Sequence, residues 1–292
     1  VRTINVIGCG KVGKTLARLW TEHRVFTVRC VLNRSLESGR RAVQFLGGGR
    51  AVASFDQLDQ ADVAMIAASD ESIEACCRQL CSTEALQPGA VVFHLSGSLR
   101  SSVLAPAQAR GASIAGLHPV KSFADPRLAV ETFAGTFCAL EGDGPACDLL
   151  RDALERCGAR PFRVEPQFKT IYHAATVFVS NYLVALVETG LRCFEKAGVP
   201  RETAMEVMEP LVRGTVENLF RLGPVRALTG PIARGEVAVV AGQSAALDRW
   251  ATRVAELYRA LGRVAVDLAA AQGEADPEAL AAVQKLLRSA ER

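Results

Sequence analysis

Long apolar runs, excess charge, paired cysteines and internal repeats are all scarce in this chain, and each scarcity closes off a class of protein. No uninterrupted apolar stretch approaches the roughly 20 residues a membrane span requires. The first 15 residues read as a strand and a turn, not as a signal peptide. A soluble protein with the cytoplasm as its default address, and no membrane partner, is therefore expected. Charge is nearly balanced, with 34 basic and 31 acidic residues, and the arginines are scattered, so nothing argues for nucleic acid. Nine cysteines is an odd number and their spacing is unlike a disulfide framework. Cys76, Cys77 and Cys81 fall in a helical stretch with no second cluster to complete a metal site, so reduced thiols and no bound metal are expected. No internal repeat or low-complexity linker breaks the chain.

What is present is a large apolar fraction, 49% of 292 residues, enough for one large or two moderate domains. The chain opens VRTINVIGCGKVGKTLARL. Gly8, Gly10 and Gly13 have the spacing G-x-G-x-x-G, after the apolar residues Ile4, Val6 and Ile7 and before the helix-like run Leu16, Ala17, Leu19 and Trp20. The first glycine bends strand into helix, the second leaves room for a pyrophosphate and the third lets helix pack on strand.

A second strand is expected over Thr27–Leu32, and further ones over 63–67, 90–95, 113–117 and 136–140, with helical segments between most of them. Short apolar strands alternating with helices predict an α/β fold, a doubly wound and mostly parallel sheet covered on both faces. Beyond Glu165-Pro166 strand signals nearly vanish. Helical patterns take over at about 167–197, 201–221 and 243–262, with a last helix from Asp276-Pro277. Two closely packed domains are expected, a dinucleotide-binding domain over 1–165 and an all-α substrate and dimerisation domain over 166–292. The long apolar helices of the second predict a homodimer.

Gly8, Cys9, Gly10, Lys11, Val12 and Gly13 are the cofactor-loop candidates. Where an NAD site usually carries an acidic residue, after the second strand, stand Asn33, Arg34 and Ser35. Arginine and serine suit a 2′-phosphate, which favours NADP over NAD, with Arg40 or Arg41 adding charge.

Reacting groups belong beyond the carboxyl ends of the strands. One such stretch is Ser96-Gly97-Ser98. Another is Gly116-Leu117-His118-Pro119-Val120-Lys121, where His118 suits proton transfer while hydride moves. His94 alternates with buried neighbours and reads as structural. Lys169, His173, Thr176 and Ser180 fall on one helix face, with Asn181 at its edge. Lys121 and Arg234 are cations suited to a substrate carboxylate.

With those residues in view, the chain resembles the bacterial family that joins a Rossmann-like domain to a DUF2520 domain. The motifs that carry the likeness are the glycine loop, Ser96-Gly97, Gly116 to Phe123, Tyr172-His173-Ala174-Ala175 with Ser180-Asn181-Tyr182, and Leu228-Thr229-Gly230-Pro231-Ile232-Ala233-Arg234-Gly235. The family sits with 6-phosphogluconate dehydrogenase, β-hydroxyacid dehydrogenases, ketopantoate reductase, pyrroline-5-carboxylate reductase and F420-dependent NADP reductases. The resemblance implies a 6-phosphogluconate-dehydrogenase-like helical domain, with Thr229 and Arg234 beside Lys121 as substrate-binding candidates. It also implies a catalytic histidine after a strand with a serine about 20 residues upstream, matched by His118 with Ser96 and Ser98. Lysine in the β-hydroxyacid pattern Lys-x-x-x-Asn is matched by Lys169, while His173 replaces the asparagine.

Two acid/base candidates, His118 and Lys169, thus stay open, with Ser96, Ser98, His173 and Asn181 as substrate-orienting residues. The reading is an NADP(H)-dependent oxidoreductase acting on a small carboxylate-bearing carbonyl, hydroxy or imine compound. Its alternative is an NADP-binding regulatory or redox-sensing protein without turnover. Reduced F420 as hydride partner follows from the likeness alone.

Overall fold

The computed structural model describes residues 1–288, which fall into two compact units, Val1–Tyr182 and the helices from Leu183 onward. In chain order the first unit contains β1 (Arg2–Ile7), α1 (Lys11–Glu22), β2 (Phe26–Leu32), α2 (Leu36–Leu46), β3 (Arg50–Val52), β4 (Ala61–Ile66), α3 (Asp70–Cys81) and β5 (Leu86–His94). It continues with α4 (Ala105–Gln108), β6 (Ser113–Pro119), α5 (Pro126–Glu131), β7 (Phe137–Gly142), α6 (Gly144–Glu155), β8 (Arg160–Arg163) and α7 (Lys169–Val179).

The eight strands form one sheet in the order β3-β2-β1-β4-β5-β6-β7-β8. All neighbours run parallel except β6 and β7. The architecture is therefore α/β with a mostly parallel sheet, as the alternating pattern predicts. β3 and β8, three and four residues long, are too short to show an apolar period and are additions to the expected set. Because β1, β2, β4, β5 and β6 are parallel, their carboxyl ends share one edge. The chain leaves that edge at Gly8, Asn33, Ala67, Leu95 and Val120.

Alternation within the strands builds two cores. Val63 and Met65 of β4 with Val91 and Phe93 of β5 face one side, where Leu16, Trp20 and Leu150 pack. Ala64, Ile66 and Val92 face the other, against Ile73, Leu80 and Leu104. Trp20 stands edge-on to Phe26 and Phe93, at centroid distances of 5.2 and 6.0 Å. All nine cysteines are free thiols, six of them buried.

Strands end at β8, near the expected boundary at 165, yet the compact division falls later, at Tyr182/Leu183. Helix α7 belongs with the sheet because its first residue, Lys169, is drawn into the sheet's interior, where it is 1% exposed. The helix expected over 167–197 is in fact two, α7 and α8 (Asn181–Lys196), separated at Ser180 (φ −116°, ψ −72°).

The second unit continues with α9 (Arg201–Leu222), α10 (Pro224–Ala227), α11 (Val237–Trp250), α12 (Thr252–Gln272) and α13 (Pro277–Arg288). The single helix expected over 243–262 is replaced by α11 and α12, which meet at the extended residue Ala251 (φ −155°). Leu191, Ala204 and Met208 form one small core, and Val240, Val266, Ala269, Leu280, Val283 and Leu287 another.

One expectation needs correction. The segment Pro166–Lys196 is long and apolar enough to cross a membrane by length and composition, with a mean hydropathy of 1.4, and its apolar window is unburied. It escapes a search for uninterrupted runs because Thr170, His173, Thr176, Ser180 and Asn181 interrupt it without lowering the mean much. Phe178, Val179 and Val184 are 64%, 75% and 71% exposed. In α9, Leu211 and Phe220 are exposed as well.

Candidate functional site

The glycine loop follows β1 directly. Gly8 has φ +81°, and a Cβ there would lie 2.7 Å from the Ala68 backbone nitrogen, so the turn admits only glycine. Around Gly10 a Cβ would meet nothing within 4 Å, which leaves open space over the amino end of α1. The first-turn N–H groups of a helix have no intrahelical acceptor, so this opening suits an anion such as a pyrophosphate. The residues present thus fit a dinucleotide, with Gly8, Gly10, Lys11, Val12 and Gly13 forming the cradle.

Not every cofactor candidate is free to touch a nucleotide. Asn33 Oδ1 accepts the Cys9 N–H at 2.6 Å, tying the end of β2 to the glycine loop. Cys9 itself is buried, and burial pushes its thiol up to about 12. Ser35 caps α2 by accepting the Ser38 N–H at 3.3 Å. Arg41 pairs with Glu37. Arg34 and Arg40 are exposed and pair with no carboxylate among the described residues.

Further along the same edge a second cluster forms. His118, near the end of β6, is half-buried, and its Nδ1 lies 2.9 Å from the Tyr172 hydroxyl. The His173 ring stands edge-on to it at 5.6 Å. Burial first, then the neighbouring His173 and Lys169, push the His118 imidazole down to about 4, so the ring is neutral at physiological pH. Tyr172 is held protonated, its hydroxyl pushed up to about 12 by burial. Gly97 lies against both histidines: a Cβ on it would come within 2.3 Å of His173 Cδ2 and 2.9 Å of His118 Nε2. Only a residue without a side chain lets β5's exit loop approach the two rings.

Ser96 and Ser98, on either side of Gly97, do not bond His118. Both hydroxyls donate instead to Asp70 Oδ2, at 2.8 and 2.9 Å. Ser96 Oγ also accepts the Ser98 and Leu99 N–H groups, which fixes the loop. Asp70, Tyr172 and Gly97 were not expected as site residues. The signal for Asp70 was an acidic residue just past a parallel strand, in Ala67-Ala68-Ser69-Asp70, at the start of α3, where a carboxylate also suits the helix's amino end. His94 is fully buried, accepting the Ser96 N–H on Nδ1 at 3.1 Å and facing the Arg100 carbonyl with Nε2 at 3.3 Å.

Lys169 points inward. Its Nζ donates to Glu141 Oε1 at 2.8 Å, with side-chain exposures of 2% and 1%. Glu141 accepts the Ser101 N–H and hydroxyl as well, at 2.8 and 2.7 Å. Burial lowers the Lys169 ammonium and the Glu141 carboxylate works against that shift. The pair lies across from Gly116, which stands opposite Glu141 in the β6/β7 register. The Lys169 ammonium is thus enclosed and paired, whereas His118 is partly exposed.

The polar helix face therefore splits. Lys169 is inside, His173 is at the histidine cluster, and Thr176 donates to the His173 carbonyl at 2.7 Å. Ser180 and Asn181 are exposed, and Asn181 makes no side-chain hydrogen bond among the described residues. Lys121 donates to the Thr132 carbonyl at 2.9 Å, anchoring the segment after α5. In the second unit Arg234 bonds Glu236 through Nε at 2.8 Å and Nη2 at 3.1 Å, and Thr229 is exposed. The two cations expected for a substrate carboxylate are thus both committed to protein partners.

Comparison with known proteins bears on both halves of the chain. A Rossmann-like domain model matches residues 2–119, and the model of a domain of unknown function, DUF2520, matches residues 136–265. The chain is a two-domain protein of the Rossmann-like and DUF2520 families. No curated protein sequence matches it. Among solved structures it is similar to a Thermotoga maritima protein, with 24% identity, a TM-score of 0.74, and coverage of 92% of this chain and 99% of that one. A proposed NADP oxidoreductase of Bacteroides fragilis matches with 20% identity, a TM-score of 0.72 and coverage of 90% and 97%. An imine reductase of Myxococcus stipitatus, in complex with NADP+, matches with 16% identity, a TM-score of 0.66 and coverage of 96% and 98%. Likeness at these identities shows the shared fold.

The Lys169–Glu141 pair yields a direct expectation. Lys169→Met strands a buried carboxylate and should destabilise the protein by roughly 3–5 kcal/mol, whereas Lys169→Met combined with Glu141→Gln should recover most of that loss. Urea unfolding of both variants measures it. Equal stability of the single variant and the parent would show that the ammonium is dispensable.

Proposed function

We propose that the protein is an NADP(H)-dependent oxidoreductase acting on a small carbonyl, hydroxy or imine compound at the His118–Tyr172–His173 cluster. The observation that carries the reading is the shared sheet edge. It bears the open glycine cradle after β1 and, after β5 and on β6, a half-buried neutral histidine bonded to a tyrosine. Bound there, the nicotinamide would supply or accept hydride. Tyr172 donating into Nδ1 leaves the His118 proton on Nε2, which faces Gly97 and suits a hydrogen bond to the reacting heteroatom. In the oxidative direction the other tautomer, with Nδ1–H donating to the Tyr172 oxygen, leaves Nε2 free to take a proton.

Arg34 supports NADP over NAD, being the free cation at the end of β2 while Asn33 and Ser35 are occupied by the backbone. NADP(H) should bind at least about tenfold tighter than NAD(H), the gain of one charge-assisted phosphate contact, and Arg34→Asp should abolish the difference. Calorimetry with both cofactors decides it, and equal affinities in the parent would remove Arg34 from the argument.

Turnover is read at the nicotinamide absorbance band across a panel of carbonyl, hydroxy and imine compounds. For a carbonyl or hydroxy substrate, where a proton must move with the hydride, His118→Ala should lower it by roughly 100-fold or more with NADP affinity nearly intact, since positioned acid/base groups contribute about that much. A chain that binds NADP(H) and turns over nothing in the panel favours the regulatory reading instead.

A homodimer is part of the same proposal. The exposed apolar residues of α7 and α8 call for cover, and a membrane is a poor candidate because Lys169 anchors α7 inside the sheet unit. Light scattering at micromolar concentration should give twice the 31.1 kDa chain mass, and a monomer there would sink the assignment.

A further inference from the structure

A carboxylate beside the histidine cluster is oriented by two hydroxyls and left open on one oxygen, a feature the sequence does not suggest. Lys169 is paired with the Glu141 carboxylate, while Lys121 and Arg100 keep their charge and each donate to a backbone carbonyl, that of Thr132 at 2.9 Å and that of Gln167 at 3.2 Å. The carboxylate that remains is Asp70. It is exposed, it is held by the Ser96 and Ser98 hydroxyls on one oxygen, Oδ2, and its other oxygen has no partner among the described residues. Those two serines flank Gly97, whose backbone lies against His118 and His173, so the carboxylate is fastened to the loop that forms the floor of the cluster. Two serines aligned on one oxygen orient a carboxylate; they do not neutralise it.

Resting on the oxidoreductase reading above, we propose that Asp70 selects a substrate with positive charge on nitrogen, an iminium in the reductive direction; in the other direction the ammonium form of the amine binds there and loses its proton to water before hydride leaves the carbon. The chemistry suits the residues present. Hydride from the reduced nicotinamide adds to the iminium carbon, the C=N π pair moves onto nitrogen, and the nitrogen loses its positive charge. No proton is delivered. Reduction of a carbonyl would require a proton at oxygen, and the cluster offers an uncharged imidazole and a strongly held phenol for that task. His118, in the tautomer that leaves Nε2 unprotonated, accepts the iminium N–H where the substrate has one, and Asp70 provides the counter-charge that a cation needs on leaving water.

The test uses the full chain in the presence of NADP+, with cyclic ammonium ions (pyrrolidinium, piperidinium) titrated against their neutral ether isosteres and against a ring carboxylate. The ammonium ions should bind at least about tenfold tighter than the ethers, as expected of one charge-assisted hydrogen bond, and added salt should weaken the ammonium ions alone. Asp70→Asn should erase that preference while NADPH affinity stays within about threefold. Ser98→Ala, which keeps the carboxylate, should retain it. With NADPH, an N-methyl cyclic iminium should be reduced faster than the matching ketone. If NADPH fails to bind the parent, the oxidoreductase reading falls. If NADPH binds but ammonium ions show no preference or no salt dependence, only the substrate class falls. A weakened NADPH affinity in folded Asp70→Asn would assign the carboxylate to the cofactor and overturn the proposal. The parent's preference and its salt dependence decide the matter even if Asp70→Asn does not fold.

Discussion

An ammonium and a carboxylate buried together hold the rest of the candidate site in place. Lys169 is the first residue of α7 and Glu141 lies on β7, so their bond draws the start of the helix into the sheet's interior. Tyr172 and His173 follow within one turn of helix, and the geometry that brings them to His118 is inherited from that anchor. Two charges removed from water are stabilising only when both are fully bonded, and Ser101 completes the carboxylate's set with two further donors. The arrangement explains why helix α7 goes with the sheet although its composition resembles the helices that follow.

Much of this architecture was legible in the sequence, and the limits of legibility have physical causes. The glycine loop and the central strands announce themselves because backbone conformation and double-sided burial constrain residue type at every position. β3 and β8 do not, being too short for a period. The interruption at Ser180 leaves no helix-breaking proline or glycine to read. For the site, His118 stood out because a strand's end offers little reason for a histidine. Tyr172 and Asp70 stood out less, since their roles are partnerships with residues 54 and 26–28 positions away in sequence, and pairing at that distance has no local pattern. The helix-face spacing of Lys169 and His173 was visible, yet the spacing does not reveal that one side chain turns inward and the other toward the histidine cluster.

Electrostatics at the sheet edge runs against first appearance. Lysines and arginines in the relevant motifs suggest anion recognition throughout, but several are paired with carboxylates, Lys169 with Glu141, Arg41 with Glu37 and Arg234 with Glu236. What remains is positive at Arg34, where a phosphate is expected, and negative at Asp70, beside the reaction cluster. A site divided in this way can distinguish the two ends of its ligands by charge before any contact of shape.

The bond from Asn33 to the Cys9 N–H gives the two cofactor-facing loops a shared fate. The loop after β2 and the glycine loop after β1 are fastened by one short hydrogen bond, so a disturbance of one is felt as loosening of the other. Any attempt to re-specify the nucleotide has unequal footholds: position 34 can change sign without touching this bond, whereas position 33 can be altered only at the expense of the turn itself. On the proposed reading, cofactor identity and cofactor affinity are then separable traits at position 34 and inseparable at position 33, which sets the order in which mutations could exchange one dinucleotide for another.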